Sequence, residues 1–280
     1  MEKAIKRYFP IFVLPTMIAF TLGFIIPFVE GVYLSFCKFT TVNDAKFIGF
    51  ANYVKVFADE TFVHAFWYTA AFTVVSVILI NVLAFAVALL LTKGFKGTNI
   101  FRTVFFMPNL IGGIVLGYIW QLLLNGILMK FSRTLTYSST YGFWGLIILM
   151  CWQQIGYMMI IYIAGIQNIP GELIEAAEID GATKWQILKK VTIPMVMPSI
   201  TVCTFLTLTN SFKLFDQNLA LTNGEPSKMS EMLALNIFNT FYGRTGYEGV
   251  GQAKAVIFFI LVTVIALTQN YLTRRKEVQQ

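Results

Sequence analysis

The chain has 280 residues, of which 57% are hydrophobic and 12% are charged, and its mean hydropathy is +0.69. A soluble domain is nearer about 45–50% apolar and about 25% charged, so this composition excludes a single soluble core and indicates an integral membrane protein. The formal charge of +7 does not indicate nucleic-acid binding, because the basic residues are dispersed among apolar segments. Cys37, Cys151 and Cys203 lack metal or redox spacing and are interpreted as packing residues.

Six apolar segments are long enough to cross a bilayer, which takes about 20 residues in a helix. Only helices satisfy the backbone polar groups of such segments in lipid, and the two-residue alternation of a membrane barrel is missing. The sequence therefore predicts an all-α integral membrane protein, with six transmembrane helices in a single domain over residues 1–280. The predicted spans are residues 11–36, 65–92, 104–129, 141–166, 195–216 and 255–273.

The third predicted span contains residues that bend helices or bring them together. Pro108 and Gly112 are expected to kink or loosen its first half. Gly113 and Gly117 have the small-residue spacing that lets two membrane helices approach closely. The alternative is that these glycines are simply tolerated, since glycine is common in membrane helices.

The positions of Lys and Arg predict the orientation of the chain. They gather in short segments at both termini and after the second and fourth predicted spans, whereas the other bases are spread over longer loops. Cytoplasmic loops carry the excess of Lys and Arg, so both termini and the segment 170–194 are predicted to be cytoplasmic. No small-residue cleavage pattern follows the first apolar segment, which is therefore expected to be retained.

The segment 170–194 is the longest polar stretch between two apolar ones, and its residues predict a helical hairpin. Pro170 suits a first helical position, and Gly181 suits the left-handed residue that ends a helix. Thr183 and Gln186 have capping-box spacing for a second helix. Such a hairpin is either a plain connector or a docking element. Acids precede the turn and bases follow it: Glu172, Glu175, Glu178, Asp180, then Lys184, Lys189 and Lys190.

The order Glu-Ala-Ala at 175–177, Asp-Gly-Ala at 180–182 and Ile-Pro at 193–194 resembles the "EAA" loop of membrane subunits of ATP-binding-cassette importers. Phe-Ile-Gly-Phe-Ala-Asn-Tyr at 47–53 is similar to the first external loop of the carbohydrate-type permeases. The stretch 221–226 resembles a later external loop of that group, with Glu225 in place of the usual second glycine. The resemblance covers nearly the whole chain.

This resemblance implies the type I importer fold, with a coupling helix between the fourth and fifth spans that docks on an ATPase subunit. It also implies two ATPase subunits, a second homologous permease (a heterodimer) and an external solute-binding protein, in the plasma membrane of a prokaryote. The chain has no Gly-x-x-x-x-Gly-Lys-Ser/Thr loop. Hence it is expected not to be an enzyme and to bind no cofactor, with ATP and magnesium on the partner subunits. The implied coupling residues are Glu175, Ala176, Ala177, Asp180, Gly181 and Ala182.

The residues along the path of the solute are harder to identify from the sequence. Polar groups inside a membrane protein are expected to face protein or a cavity, and amides offer both donors and acceptors to sugar hydroxyls. Aromatic rings could stack on sugar faces, although membrane amides also bond between helices and most aromatic residues pack or face lipid. The candidate path residues are Gln121, Trp152, Gln153, Asn210, Phe215 and Asp216.

Several other functions remain open at this point. An ion-coupled secondary transporter would favour carboxylates near the midplane of the membrane, and the uncharged cores of the six spans contain none. An intramembrane enzyme would need a catalytic pair there, and the only histidine, His64, lies outside. A channel would conduct without an ATPase. Within the importer family, a glycerol-phosphate-type solute would need cations along the path, for which Lys213 is the candidate.

Overall fold

The computed structural model describes residues 2–94 and 96–274, and nearly all regular structure in them is helical. Tertiary contacts divide the chain into two units, residues 1–60 with 237–260 and residues 61–236 with 261–280. The helices are α1 (Glu2–Phe20), α2 (Ile26–Leu34), α3 (Ala51–Phe57), α4 (Glu60–Leu91), α5 (Thr98–Phe106), α6 (Gly113–Leu128), α7 (Ser139–Gln167), α8 (Gly171–Ile179), α9 (Lys184–Ile187), α10 (Ile193–Met195), α11 (Met197–Phe212), α12 (Asp216–Leu221), α13 (Leu233–Gly243) and α14 (Glu248–Arg274).

Five helical segments of the described chain are long and apolar enough to cross a membrane, and a bent pair makes up to six. The all-α membrane fold predicted from the sequence is therefore confirmed. The five segments are Ile11–Leu34, Glu60–Leu91, Gly113–Phe131, Ser139–Gln167 and Glu248–Leu272. The bent pair is Lys184–Met195 with Met197–Phe212, whose axes differ by 69°.

The third predicted span, residues 104–129, is not one continuous helix. A 3₁₀ turn, Met107–Leu110, follows α5, and Gly112 is extended (φ −60°, ψ 141°) before α6 begins. Pro108 lies in this turn, where its ring and its missing N–H cannot continue an α-helix. The kink expected at Pro108 and Gly112 is therefore present as a complete break.

Other helix ends differ from the predicted spans because polar residues can begin or extend a helix. The helix of the fifth span, α11, ends at Phe212. Residue 216, the predicted end of that span, begins the separate helix α12. The helix of the sixth span, α14, begins at Glu248, seven residues before the predicted start at 255, because a carboxylate at the positive end of a helix is favourable. The first span ends with α2 at Leu34, and a π-helical turn at Thr21–Ile25 separates α1 from α2.

The larger unit has a continuous apolar core built around α4 and α7, with Phe72, Leu146 and Tyr162 among its most buried side chains. Glycines let its helices approach closely. A Cβ at Gly117 would lie 2.7 Å from Ala220 Cβ, so the small-residue spacing in α6 does mark a close helix contact, here with α12. A Cβ at Gly156 would overlap with the Phe105 carbonyl oxygen.

The smaller unit is held together by polar contacts to its loops. The Asn52 amide donates to the carbonyl oxygens of Ser35 (2.9 Å) and Cys37 (2.8 Å). A short antiparallel pair, β1 (Cys37–Lys38) and β2 (Lys46–Phe47), aligns Cys37 with Phe47. On α14, the fully buried Lys254 ammonium lies 2.8 Å from Asp59 Oδ2 and 2.8 Å from Thr240 Oγ1.

The loop between β1 and β2 contains a local carboxylate cap. Asp44 Oδ1 accepts hydrogen bonds from the backbone N–H groups of Thr40 (3.0 Å) and Thr41 (3.0 Å). Because these bonds favour the ionised carboxylate, they hold the pKa of Asp44 below its ordinary value.

Candidate functional site

The hairpin that the sequence predicts between the fourth and fifth spans is present, and its turn has the expected geometry. Gly181 takes the left-handed conformation (φ +76°) directly after α8. Its N–H donates to the Glu178 carbonyl oxygen (3.0 Å), and the N–H of Ala182 donates to the Ala177 carbonyl oxygen (3.0 Å). These two bonds make a Schellman motif, which satisfies the last carbonyl groups of α8. Pro170 precedes the first helical residue instead of occupying that position.

The second helix of the hairpin begins with the predicted capping box. Thr183 Oγ1 accepts from the Gln186 backbone N–H (3.4 Å), and Gln186 Oε1 accepts from the Thr183 backbone N–H (2.7 Å). A π-helical turn, Leu188–Thr192, then follows α9. The hairpin is thus a locally specified structure, with both sides of its turn fixed by hydrogen bonds.

Large apolar side chains of this polar hairpin are exposed. Ile179 is 86% exposed and Trp185 is 69% exposed, on opposite sides of the turn, while Leu173 is 43% exposed. Of the implied coupling residues, Ala177 and Ala182 are half-buried and the others are exposed: Glu175, Ala176, Asp180 and Gly181. Sequence reasoning missed Ile179 and Trp185, although an isoleucine and a tryptophan within a charged run are a visible signal. The hairpin has the composition of a contact surface, since apolar and acidic groups are displayed together.

A pocket of about 290 Å³ brings together half of the predicted path residues, namely Asn210, Phe215 and Asp216. It lies where α11 ends and α12 begins, beside α7. The other residues that line it are Met150, Gln154, Lys213, Leu214 and Gln217.

Buried amides form the α7 side of this region. Gln217 Nε2 donates to Gln153 Oε1 (2.8 Å), which ties α12 to α7, and Gln153 Nε2 donates weakly to the Ile111 carbonyl oxygen (3.4 Å). Gln154 is 8% exposed, and its Oε1 has no hydrogen-bond partner. A buried carbonyl oxygen without a donor costs roughly 1–3 kcal/mol, and Gln154, which lines the pocket, carries such an unpaired acceptor. Its neighbour Gln153, which the sequence singled out, is already engaged.

Besides Gln153, two more predicted path residues do not line this pocket. Gln121 Nε2 donates to the Leu221 carbonyl oxygen (3.0 Å), so this amide joins α6 to α12. Trp152 is 44% exposed and packs edge-on against Trp120, with ring centroids 5.6 Å apart. Hydropathy gives the depth of a residue in a span but not the face on which it lies, so the assignment of these two residues to the solute path stays a prediction.

Metal-ligand geometry does not occur in the described residues, where no three His, Cys, Asp or Glu side chains cluster. His64 instead donates from Nε2 to the Met229 carbonyl oxygen (3.0 Å).

Comparison with known proteins identifies close counterparts of this chain. The family model described as "Binding-protein-dependent transport system inner membrane component" matches residues 80–278. A probable starch degradation products transport system permease of Thermoanaerobacterium thermosulfurigenes is 42% identical over 278 residues, which cover 96% of this chain and 94% of the relative. The trehalose/maltose transport system permease of Thermococcus litoralis is 28% identical, over 89% of this chain and 88% of the relative.

Solved structures with the same fold come from ABC importers. A chain in the crystal structure of a bacterial ABC transporter involved in the import of the acidic polysaccharide alginate has a TM-score of 0.82 at 23% identity, and the match covers 98% of both chains. A chain of the MetNI methionine ABC transporter has a TM-score of 0.57 at 22% identity and covers 77% of this chain. These likenesses establish the fold.

Proposed function

The chain belongs to the family of binding-protein-dependent transport system inner membrane components, and from that premise we propose that it imports a small carbohydrate with energy from ATP hydrolysed on partner subunits. The observation that carries the proposal is the hairpin of residues 171–187, which displays a fixed turn and exposed apolar side chains. Because the chain has no phosphate-binding loop, an ATPase partner has to meet it somewhere. The hairpin is the surface best suited to that contact.

The hairpin supports docking through three features that act together. Glu175 and Asp180 supply exposed acceptors for the partner's donors, and Ala176 leaves room for close seating. Ile179 supplies apolar area at the tip, and on the far side of the turn Trp185 supplies more. Gly181 fixes the angle between the two helices through its left-handed backbone. Closure of the ATPases would then move the hairpin as a rigid body and, with it, the helices on either side.

The pocket supports a hydroxylated solute. Gln154 offers an acceptor without a donor, and Asn210 adds a second amide. Hydroxyl groups can donate to and accept from such amides, and Phe215 provides an aromatic ring beside them. The relatives named for starch degradation products and for trehalose/maltose support the same class of solute. Lys213 in the same lining favours a second candidate, an anionic polyol phosphate, and Asp216 beside it opposes that candidate.

Exposed apolar surface supports the proposed assembly of this chain with other subunits. In the segment Ile11–Leu34, the most apolar stretch of the helix contains no buried residue. A second permease subunit packed on this segment would cover its side chains, and a heterodimer is the arrangement we propose. An external solute-binding protein would deliver the solute, and the charge pattern supports cytoplasmic termini. Two ATPase subunits would carry ATP and magnesium.

The test is the full complex reconstituted in liposomes with Gly181→Val in this chain. A β-branched residue in the left-handed region costs roughly 1–2 kcal/mol, so we expect solute-stimulated ATPase activity and uptake to fall several-fold while membrane insertion is unchanged. Gly171→Val is the matched control, because Gly171 lies in the same hairpin with ordinary backbone geometry and open space around it.

A second experiment on the same complex identifies the solute class. It compares the ATPase stimulation by a malto-oligosaccharide, a monosaccharide and glycerol 3-phosphate, each delivered by its binding protein. Stimulation by a neutral sugar supports the proposal, and stimulation by glycerol 3-phosphate alone would replace the solute class. Uptake driven by an ion gradient without ATP would overturn the ATP-coupled mechanism. Equal coupling in both glycine variants would remove the hairpin turn from the mechanism.

A further inference from the structure

A second pocket, of about 450 Å³, lies in the larger unit and shares no lining residue with the first. It is formed where α4 ends, α5 begins and α7 ends. Polar side chains dominate its wall, and one of them carries a charge. The main lining residues are Leu91, Thr92, Thr98, Asn99, Arg102 and Gln167.

Arg102 is incompletely satisfied in this pocket. Its Nε is buried and has no hydrogen-bond partner. Its Nη2 makes one long hydrogen bond, 3.4 Å, to the Leu91 carbonyl oxygen. A guanidinium is built to donate two parallel hydrogen bonds to a carboxylate or a phosphate. The arrangement around Arg102 therefore lacks an anionic acceptor.

The charge around the pocket has one sign. Lys93 and Lys96 lie in the short connection between α4 and α5, close in sequence to Arg102, and no Asp or Glu occurs between Glu60 and Glu172. The nine-residue helix α5 also begins at the pocket, and the partial positive charge at its N-terminus adds to the same field. An anion entering here meets the Arg102 side chain in the pocket wall, and the two lysines in the connection next to it add positive charge.

Exposed apolar side chains lie on the two helices α4 and α5 that meet at the pocket, and one of them, Ile100, lines it. Leu90, at the end of the membrane-length helix α4, is 57% exposed. Ile100 is 68% exposed and Val104 is 57% exposed, one turn apart on α5. The combination of a cationic pocket and an adjoining exposed apolar strip at the end of a span matches a lipid, with its phosphate in the pocket and its acyl chains along the strip. We propose that this pocket binds the headgroup phosphate of an anionic phospholipid.

The test uses the purified full chain in detergent, with native mass spectrometry to measure bound phosphatidylglycerol and phosphatidylcholine. The wild type is expected to bind phosphatidylglycerol more tightly. Arg102→Gln should weaken that binding about fivefold or more, the factor expected for one basic residue at a lipid surface. Arg133→Gln is the matched control, because it removes an arginine that is exposed and bonded to the Tyr141 hydroxyl group instead.

Three outcomes overturn the proposal. The first is equal phosphatidylglycerol binding by wild type and Arg102→Gln. The second is equal binding of phosphatidylglycerol and phosphatidylcholine by the wild type. This measurement does not depend on the folding of any variant. The third is displacement of the lipid by excess inorganic phosphate, which would make this a site for free phosphate. If Arg102→Gln does not fold, Arg102→Lys decides, since it keeps the charge, loses the planar fork and should bind more weakly than wild type.

Discussion

Replacing Asp59 by Asn should destabilise the protein more than replacing Lys254 by Met, although the two side chains form one ion pair. The asymmetry comes from burial: the Lys254 side chain is 0% exposed, whereas that of Asp59 is 19% exposed. With Asn at position 59, the buried ammonium loses the carboxylate of this pair. Removing one partner of a buried ion pair typically costs about 3–5 kcal/mol, and we expect the lower end because Thr240 Oγ1 still accepts a hydrogen bond at 2.8 Å.

Lys254→Met leaves a carboxylate that water can reach, and methionine fills much of the space of the lysine stem. The loss should then be about 1 kcal/mol, the range of a solvated pair. The double variant Asp59→Asn/Lys254→Met removes both charges of the pair, so it should recover most of the stability that Asp59→Asn loses. A double-mutant cycle on these four proteins gives the coupling energy directly.

The assay is thermal unfolding of the purified chain in one detergent, followed by tryptophan fluorescence. Lys55→Met is the matched control, since Lys55 is exposed in the same unit and its ammonium lies 5.9 Å from the centre of the Tyr247 ring. That variant should unfold within about 0.5 kcal/mol of the wild type. A loss for Lys254→Met equal to or larger than the loss for Asp59→Asn would refute the burial argument.

Two further variants test close packing and a local cap. Gly156→Ala should destabilise strongly, by about 3 kcal/mol or more, because its Cβ would meet the Phe105 carbonyl oxygen; Gly126→Ala, with open space around it, should be neutral in the same melt. Since the folded pKa of Asp44 is lowered, its cap is complete above the unfolded pKa and is lost as pH falls through the folded pKa. Amide exchange at Thr41, corrected for the intrinsic rate, should then speed up in acid, and Asp44→Asn should remove that pH dependence; an unchanged pH profile would contradict the cap.

The hairpin was predictable from sequence because its determinants are local. Gly181 is required by the left-handed backbone at that residue, and Thr183 and Gln186 bond to each other's backbone three positions apart. The break after α5 was signalled in the same way by Pro108. In each case, the chemistry that decides the structure lies within one helical turn of the residue that reveals it.

Only half of the predicted path residues line the pocket at Asn210 and Phe215, because tertiary packing decides which side chains face it. Gln153 and Gln154 are adjacent in sequence and equally polar, yet one is bonded to Gln217 and the other has a free carbonyl oxygen. Gln121 and Trp152 have suitable chemistry, but helix packing turns them toward other partners. Composition gives the number of amides in the spans, and only the packing decides which of them remains available.

The two connections from the hairpin to the pocket differ in stiffness, and this difference bears on the proposed coupling. On one side, α7 is a single helix of 29 residues that carries Gln154 and ends just before the hairpin begins. At about 1.5 Å per residue, it spans about 20 Å from Gln154 to its end. On the other side, a π-helical turn and a 69° bend separate the hairpin from Asn210 on α11. A displacement of the hairpin would therefore reach Gln154 rigidly and be partly absorbed before Asn210. The separation of these two amides would change, so motion of the hairpin would alter the shape of the proposed solute pocket.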